Sequence, residues 1–318
     1  MKKFVLILIT FVLVMNCRNE SGIEADVQSI EMDIKLERFD KLFAESQPEN
    51  LSELKASYPF MFSRQFTDAD YRARLNDTLQ QQLYQEVKNT FETIPEFDDI
   101  LNFYRHFKYH YQGFESPRLI TVVSDVDYRN RVIVTDTIAL IGLDNYLGAE
   151  HEFYGGIQQY ISQNLKREMM VSDLAEAYAE KMVPRPVQRN FLADMIYFGK
   201  RLYFKDRMIP FEEDEIRIGY SKDQLEWAKA NESNIWRYFV ENELLYDNDL
   251  KLTSRFINPA PFSKFNLELD NESPGRIGQY IGWQIVRSYM QNNEIGFREM
   301  MLKDADEIFK NARFKPRR

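Results

Sequence analysis

Apolar residues recur at helical spacing along most of the chain and alternate with polar ones only in its first half. Leu75, Leu79, Leu83, Val87 and Phe91 fall at steps of four, which predicts an amphipathic helix over 75–91. Pro95 interrupts, and Ile100, Phe103, Phe107 and Tyr111 stripe a second helix over 97–111. Shorter helices are expected over 37–44 and 51–61. Ile30, Met32, Ile34 and Leu36 alternate with charged residues, the period of a half-buried strand. The runs 119–123, 131–134 and 137–143 are β-branched and apolar, the last two split by the polar turn Thr135-Asp136. Together these segments predict a sheet of three or four strands. After Gly156 the pattern is helical: 169–182, closed by Val183-Pro184-Arg185-Pro186; 188–204, with Phe191, Met195, Phe198 and Leu202 aligned; and 233–246. Ser221 and Gln224 form a capping box opening a helix that runs through Ala230. No repeat or low-complexity linker divides the chain. The expected fold is α+β, predominantly helical with a small N-terminal sheet, in one domain over 30–318.

The stretch from Arg255 to Met290 stands out. Pro259 and Pro261 break regular structure, and Asp270 to Pro274 reads as a helix start, with Ser273 as N-cap and Pro274 where its missing N–H costs nothing. Ile277, Ile281, Ile285 and Ser288 then share one stripe, with Gly278 and Gly282 a turn apart beside it. Two glycines at that spacing strip side chains from one patch and let another backbone approach. The plain reading is a buried helix with a glycine notch. The functional one is a partner-binding face including Tyr197, Trp236, Asn258, Arg276, Gly278, Tyr280, Gly282 and Trp283.

Length and charge narrow the classes. With 318 residues and 44% apolar content the chain can bury a large core, and a net charge of −9 argues against nucleic acid as a general partner. Lys2 and Lys3 precede the apolar run Phe4–Met15, which is too short to span a bilayer and fits a signal segment over 1–16. The chain has one cysteine, Cys17, at the end of that run. It reads as the acylated first residue of a lipoprotein, the alternative being ordinary cleavage beside an incidental thiol. The polar residues that follow make 17–29 a short tether, which would hold the domain close to a membrane.

The string RFINPAPFSKFNLELDNESPGRIGQYIGWQIVRSYM, together with IWRYFVENELLY and LDNYLG, resembles the gliding motility lipoprotein family of Bacteroidetes, the GldB type. That resemblance implies a lipid-anchored cell-envelope protein, outer-membrane in location, required for gliding. It also implies partners among the gliding and type IX secretion-associated machinery, a non-catalytic scaffold or partner-binding role, and no cofactor.

A small sheet followed by long helices is also the order of zincin-type metalloproteases, which carry H-E-x-x-H on a helix. The matching register here, Ala193 to Tyr197, has neither histidine. His106 and His110 stand at i and i+4, but Phe107 follows where glutamate would be needed, so they read as a partly exposed pair on a core-forming helix rather than zinc ligands. A degenerate, zincin-like scaffold without metal is the expectation. Asp194 and Glu243 are the remaining catalytic candidates, as a carboxylate pair across two helices in an envelope hydrolase. A further alternative is a peptide- or glycan-binding module using Tyr197, Tyr203, Trp227, Trp236, Tyr280 and Trp283, although their helical spacing equally suits core packing.

Overall fold

The computed structural model describes residues 22–47, 49–267 and 270–317. The expected signal segment and Cys17 lie outside the described residues.

A four-stranded sheet separates two cores. Its strands are β1 (Leu36–Arg38), β2 (Arg118–Val122), β3 (Val132–Val134) and β4 (Ile138–Gly142), in the order β1-β2-β4-β3. β2 pairs in parallel with β1 and β4, and β3 returns antiparallel on β4. Side chains on a strand alternate between faces. Leu119 of β2 therefore enters the main core while its neighbour Ile120 enters a smaller one on the other side.

The smaller core is aromatic. It is built by the helices between β1 and β2: α2 (Phe39–Ala44), α3 (Leu51–Ser57), α4 (Asp68–Asn76) and α5 (Thr78–Thr90), with Phe39, Phe43, Leu51, Leu75 and Tyr84 inside. α1, residues 22–28, precedes β1. Val27 is buried and Gln28 donates to Asn102 across 2.9 Å, so part of the segment expected to be a tether is helical and packed.

On the other face lies the helical body. α6 (Glu96–His110), α7 (Gln159–Ser162), α8 (Met170–Met182) and α9 (Phe191–Met208) lead to α10 (Asp214–Ile218), α11 (Lys222–Ala230), α12 (Glu232–Glu241) and α13 (Leu250–Phe256). The chain ends in α14 (Ile277–Asn292), α15 (Phe297–Leu302) and α16 (Ala305–Ala312). α9 and α14 form its spine. A Cβ placed on Gly282 would sit 1.9 Å from the Met195 carbonyl oxygen, so the α14 backbone touches that of α9 at this glycine. The close approach expected at the glycine notch is thus made by this chain's own α9, with α13 packed beside Gly278.

Three expectations need correction. The first strand is only Leu36–Arg38, although 30–36 alternates. In the observed register residue 34 would face Pro117, which has no N–H to offer a ladder. Ser273 is no N-cap: its hydroxyl is buried and bonds to the Ser263 carbonyl at 2.9 Å, and α14 begins later, at Ile277. His106 is buried rather than partly exposed.

Candidate functional site

α14 starts at an unusual residue. Arg276 takes φ 60° and ψ 27°, the left-handed region that a side chain with a Cβ enters at a cost of about 1–2 kcal/mol. Such strain is kept where surrounding structure demands it, and functional sites are among those places. The twist turns the guanidinium over the ring of Tyr220, 5.4 Å from its centroid, where Nη2 donates to the Gly219 carbonyl at 2.9 Å. Gly275 just before it lies so close to the Ala260 carbonyl that a Cβ there would stand 2.2 Å away. The proline-containing loop is thereby clamped beside Arg276.

These residues form one wall of a cavity of about 330 Å³. Tyr128, Arg129 and Arg131, from the β2–β3 connection, form another, with Tyr160, Gln163 and Asn164 from α7 and the turn after it completing the rim. The β2–β3 connection is itself held in place. Asp144, fully buried, accepts hydrogen bonds from the backbone N–H groups of Ser124 and Val126, and Asp125 and Val126 both adopt positive φ. A β-branched residue in that region is rare.

Behind the cavity, α8 and α9 carry a charge network in which Asp173, Arg201 and Lys205 are buried and Glu176 is half-buried. Asp173 receives a forked pair from Arg131, both contacts at 2.6 Å, and a bond from the Tyr146 hydroxyl. Glu176 pairs with Arg201 at 2.6 Å and Lys205 at 3.1 Å. Burial alone would raise the Glu176 pKa, but the Lys205 and Arg201 charges outweigh it and hold it at about 2. Lys205 also donates to Ser172 Oγ and the Arg217 carbonyl. Among the described residues, no carboxylate makes an ion pair with Arg276 or Arg129.

The family model for the gliding motility protein GldB, a lipoprotein family, matches residues 20–316. The chain belongs to the GldB family. No curated protein and no solved structure matches it. Membership gives this GldB-family chain a role in gliding motility, and among its described residues no helix is long and apolar enough to cross a membrane.

Of the residues singled out in the sequence, Arg276 lines the cavity and Asn258 is exposed next to Pro259, which also lines it. Tyr197, Gly278, Tyr280, Gly282 and Trp283 are buried in the main core, and Trp236 is half-buried against Phe309 and Phe314. Their helical spacing reflects packing inside the chain, and of these residues only Trp236 stays partly exposed. The Tyr280 hydroxyl bonds to Glu232 and the Trp283 indole N–H to Asp206. Asp194 accepts from Thr253 at 2.9 Å, whereas Glu243 is exposed in a left-handed turn. His110 is pushed down to about 4, by burial first and then by Arg207. No group of three metal-binding side chains converges among the described residues.

Arg129, Arg131, Asp173 and Glu176 escaped the sequence reading. One signal existed: charged residues stand on otherwise apolar helices, Asp173 and Glu176 three apart on α8, Arg201 and Lys205 four apart on α9. Buried charges need partners, so two such stripes of opposite sign were candidates to face each other.

Proposed function

We propose that this gliding motility component works by capture rather than turnover, with the cavity beneath the start of α14 as the site that engages its partner. The chain would be held in the cell envelope by a lipid on Cys17, with its body in the outer membrane's neighbourhood among gliding and type IX secretion-associated proteins. The observation that carries the reading is the state of the carboxylates behind this cavity, since none lines it. Asp173 is committed to Arg131 and Tyr146, and Glu176 to Arg201 and Lys205, so both serve to fix the wall. What remains turned toward the cavity is binding chemistry: guanidinium groups, tyrosine rings and side-chain amides. The hydrolase alternative gains nothing from Asp194 and Glu243, one bonded to Thr253 and the other out in solvent.

Filling the cavity tests this. Gln163→Trp, as the sole copy in a gliding strain, should abolish or sharply reduce movement while the purified protein keeps its melting temperature. Normal gliding with a filled cavity would overturn the reading.

A further inference from the structure

The cavity also indicates what kind of group it receives. Arg276 is a half-buried cation whose hydrogen bond, among the described residues, goes to one backbone carbonyl. A guanidinium offers five N–H donors, so most of its capacity is unspent. The surroundings supply only part of the missing charge: Asp173 and Glu176 act on Arg276 through space, and neither makes an ion pair with it. Arg131, Arg201, Lys205 and Arg276 face Asp173 and Glu176, with Glu180 reaching only the outer side of Arg201 at 3.5 Å. Arg129, exposed at the mouth, adds another cation. Positive charge therefore exceeds negative around a concave space, in a protein whose overall charge is −9. Buried or half-buried cations without a counter-charge are costly, and a bound anion removes that cost.

Neither of the other two arginines at the cavity duplicates Arg276. The charge of Arg131 is already matched by its fork onto Asp173, and Arg129 is exposed beside the Tyr128 ring. Arg276 is also the residue that pays a backbone penalty to be where it is, which glycine would not.

We propose that the cavity binds a small ligand through its oxyanion, a carboxylate or phosphate, with Arg276 as the principal donor and Arg129 at the entrance. About 330 Å³ has room for a ligand of roughly monosaccharide size, and the Tyr128 and Tyr160 side chains with the Gln163 and Gln224 amides would meet its neutral part. The inference rests on the cavity being the capture site and adds the class of ligand.

The purified full chain should be titrated calorimetrically with inorganic phosphate, glucuronate and, as the neutral ring of like size, glucose. Saturable binding of at least one anion, with none of glucose, is expected. A preference for phosphate would point to a phosphate-bearing source and a preference for glucuronate to a carboxylated sugar. Arg276→Gly should weaken the anion at least tenfold with a melting temperature equal to or above wild type. Arg276→Lys, which keeps the charge without the planar fork, should bind weakly and covers the case in which the glycine variant does not fold. The proposal is overturned if neither anion saturates, if glucose binds as well as glucuronate, or if binding survives in both variants. The two readings fail separately. Loss of gliding in Gln163→Trp without anion binding would leave capture standing and remove the ligand class. Arg276-dependent anion binding with normal gliding in Gln163→Trp would do the reverse.

Discussion

Gly199 and Gly282 meet where α9 crosses α14, and a Cβ built on Gly199 would lie 2.4 Å from the carbonyl carbon and oxygen of Gly282. The contact is backbone against backbone, so neither side can yield by rotating a side chain.

Gly282→Ala should therefore destabilise the fold by about 3 kcal/mol or more, since its new methyl meets the Met195 carbonyl oxygen at 1.9 Å and the helices must separate. Gly278→Ala should cost far less, about 1 kcal/mol or nothing. Its contacts are the flexible end of Ile257 at 2.9 Å and the Phe256 carbonyl oxygen at 3.0 Å, both far looser than the contact at Gly282, and alanine regains about 1 kcal/mol of helix propensity. Urea denaturation midpoints of the two variants provide the comparison; equal losses would contradict the geometry.

Asp206 should be among the most sensitive positions in the chain. Its two oxygens accept from Arg287 Nε and Nη2, both at 2.7 Å, and from the Trp283 indole at 2.9 Å, and Arg217 approaches to 3.3 Å. Only 12% of its side chain is exposed. Asp206→Ala leaves two guanidinium groups sharing Asp214 alone, and removing one partner from such a buried arrangement costs about 3–5 kcal/mol. Urea denaturation of Asp206→Ala beside wild type measures the loss, and a midpoint unchanged from wild type would contradict it.

Glu176 makes stability depend on acid in a defined direction. Its folded pKa, about 2, lies below the 4.5 of the free side chain, so the unfolded state takes up the proton first as pH falls. Its stabilising contribution is complete above about 4.5 and is lost as pH drops toward 2. Wild type should exceed Glu176→Gln in stability at pH 7, and the gap should narrow through that acid window. A gap independent of pH would mean that shape rather than charge holds the network.

The legible parts of the sequence were those fixed by local chemistry. The Ser221–Gln224 capping box forms as expected, with Gln224 N–H donating to Ser221 Oγ at 3.1 Å and Ser221 N–H to Gln224 Oε1 at 2.9 Å. The β3–β4 hairpin and the helices α6, α8 and α9 likewise fall close to where their periodicity put them, whereas the helix expected over 75–91 is broken at Asp77, which caps α5 and leaves Leu75 in α4 and Leu79 exposed. Ser273 failed as an N-cap because a tertiary partner, Ser263, took its hydroxyl, and no local pattern announces that. The glycine notch was visible, but the identity of what fills it was not. Periodicity tells which face is buried, not which chain buries it. The cavity was the least legible feature, since Arg129, Asn164, Tyr220 and Arg276 come from separate stretches joined only by the tertiary fold.

α14 links two places that are otherwise far apart. Arg276 stands at its first end, and Arg287, held by Asp206 and Asp214, stands eleven residues on, about 16 Å along the axis at 1.5 Å per residue. Between them Gly282 is seated against the α9 backbone. A pull delivered to Arg276 would therefore travel down a single stiff rod into a caged arginine, with the glycine contact preventing the rod from sliding. Were the cavity the capture site proposed above, a load applied there would reach the body of the domain without first stretching a loop.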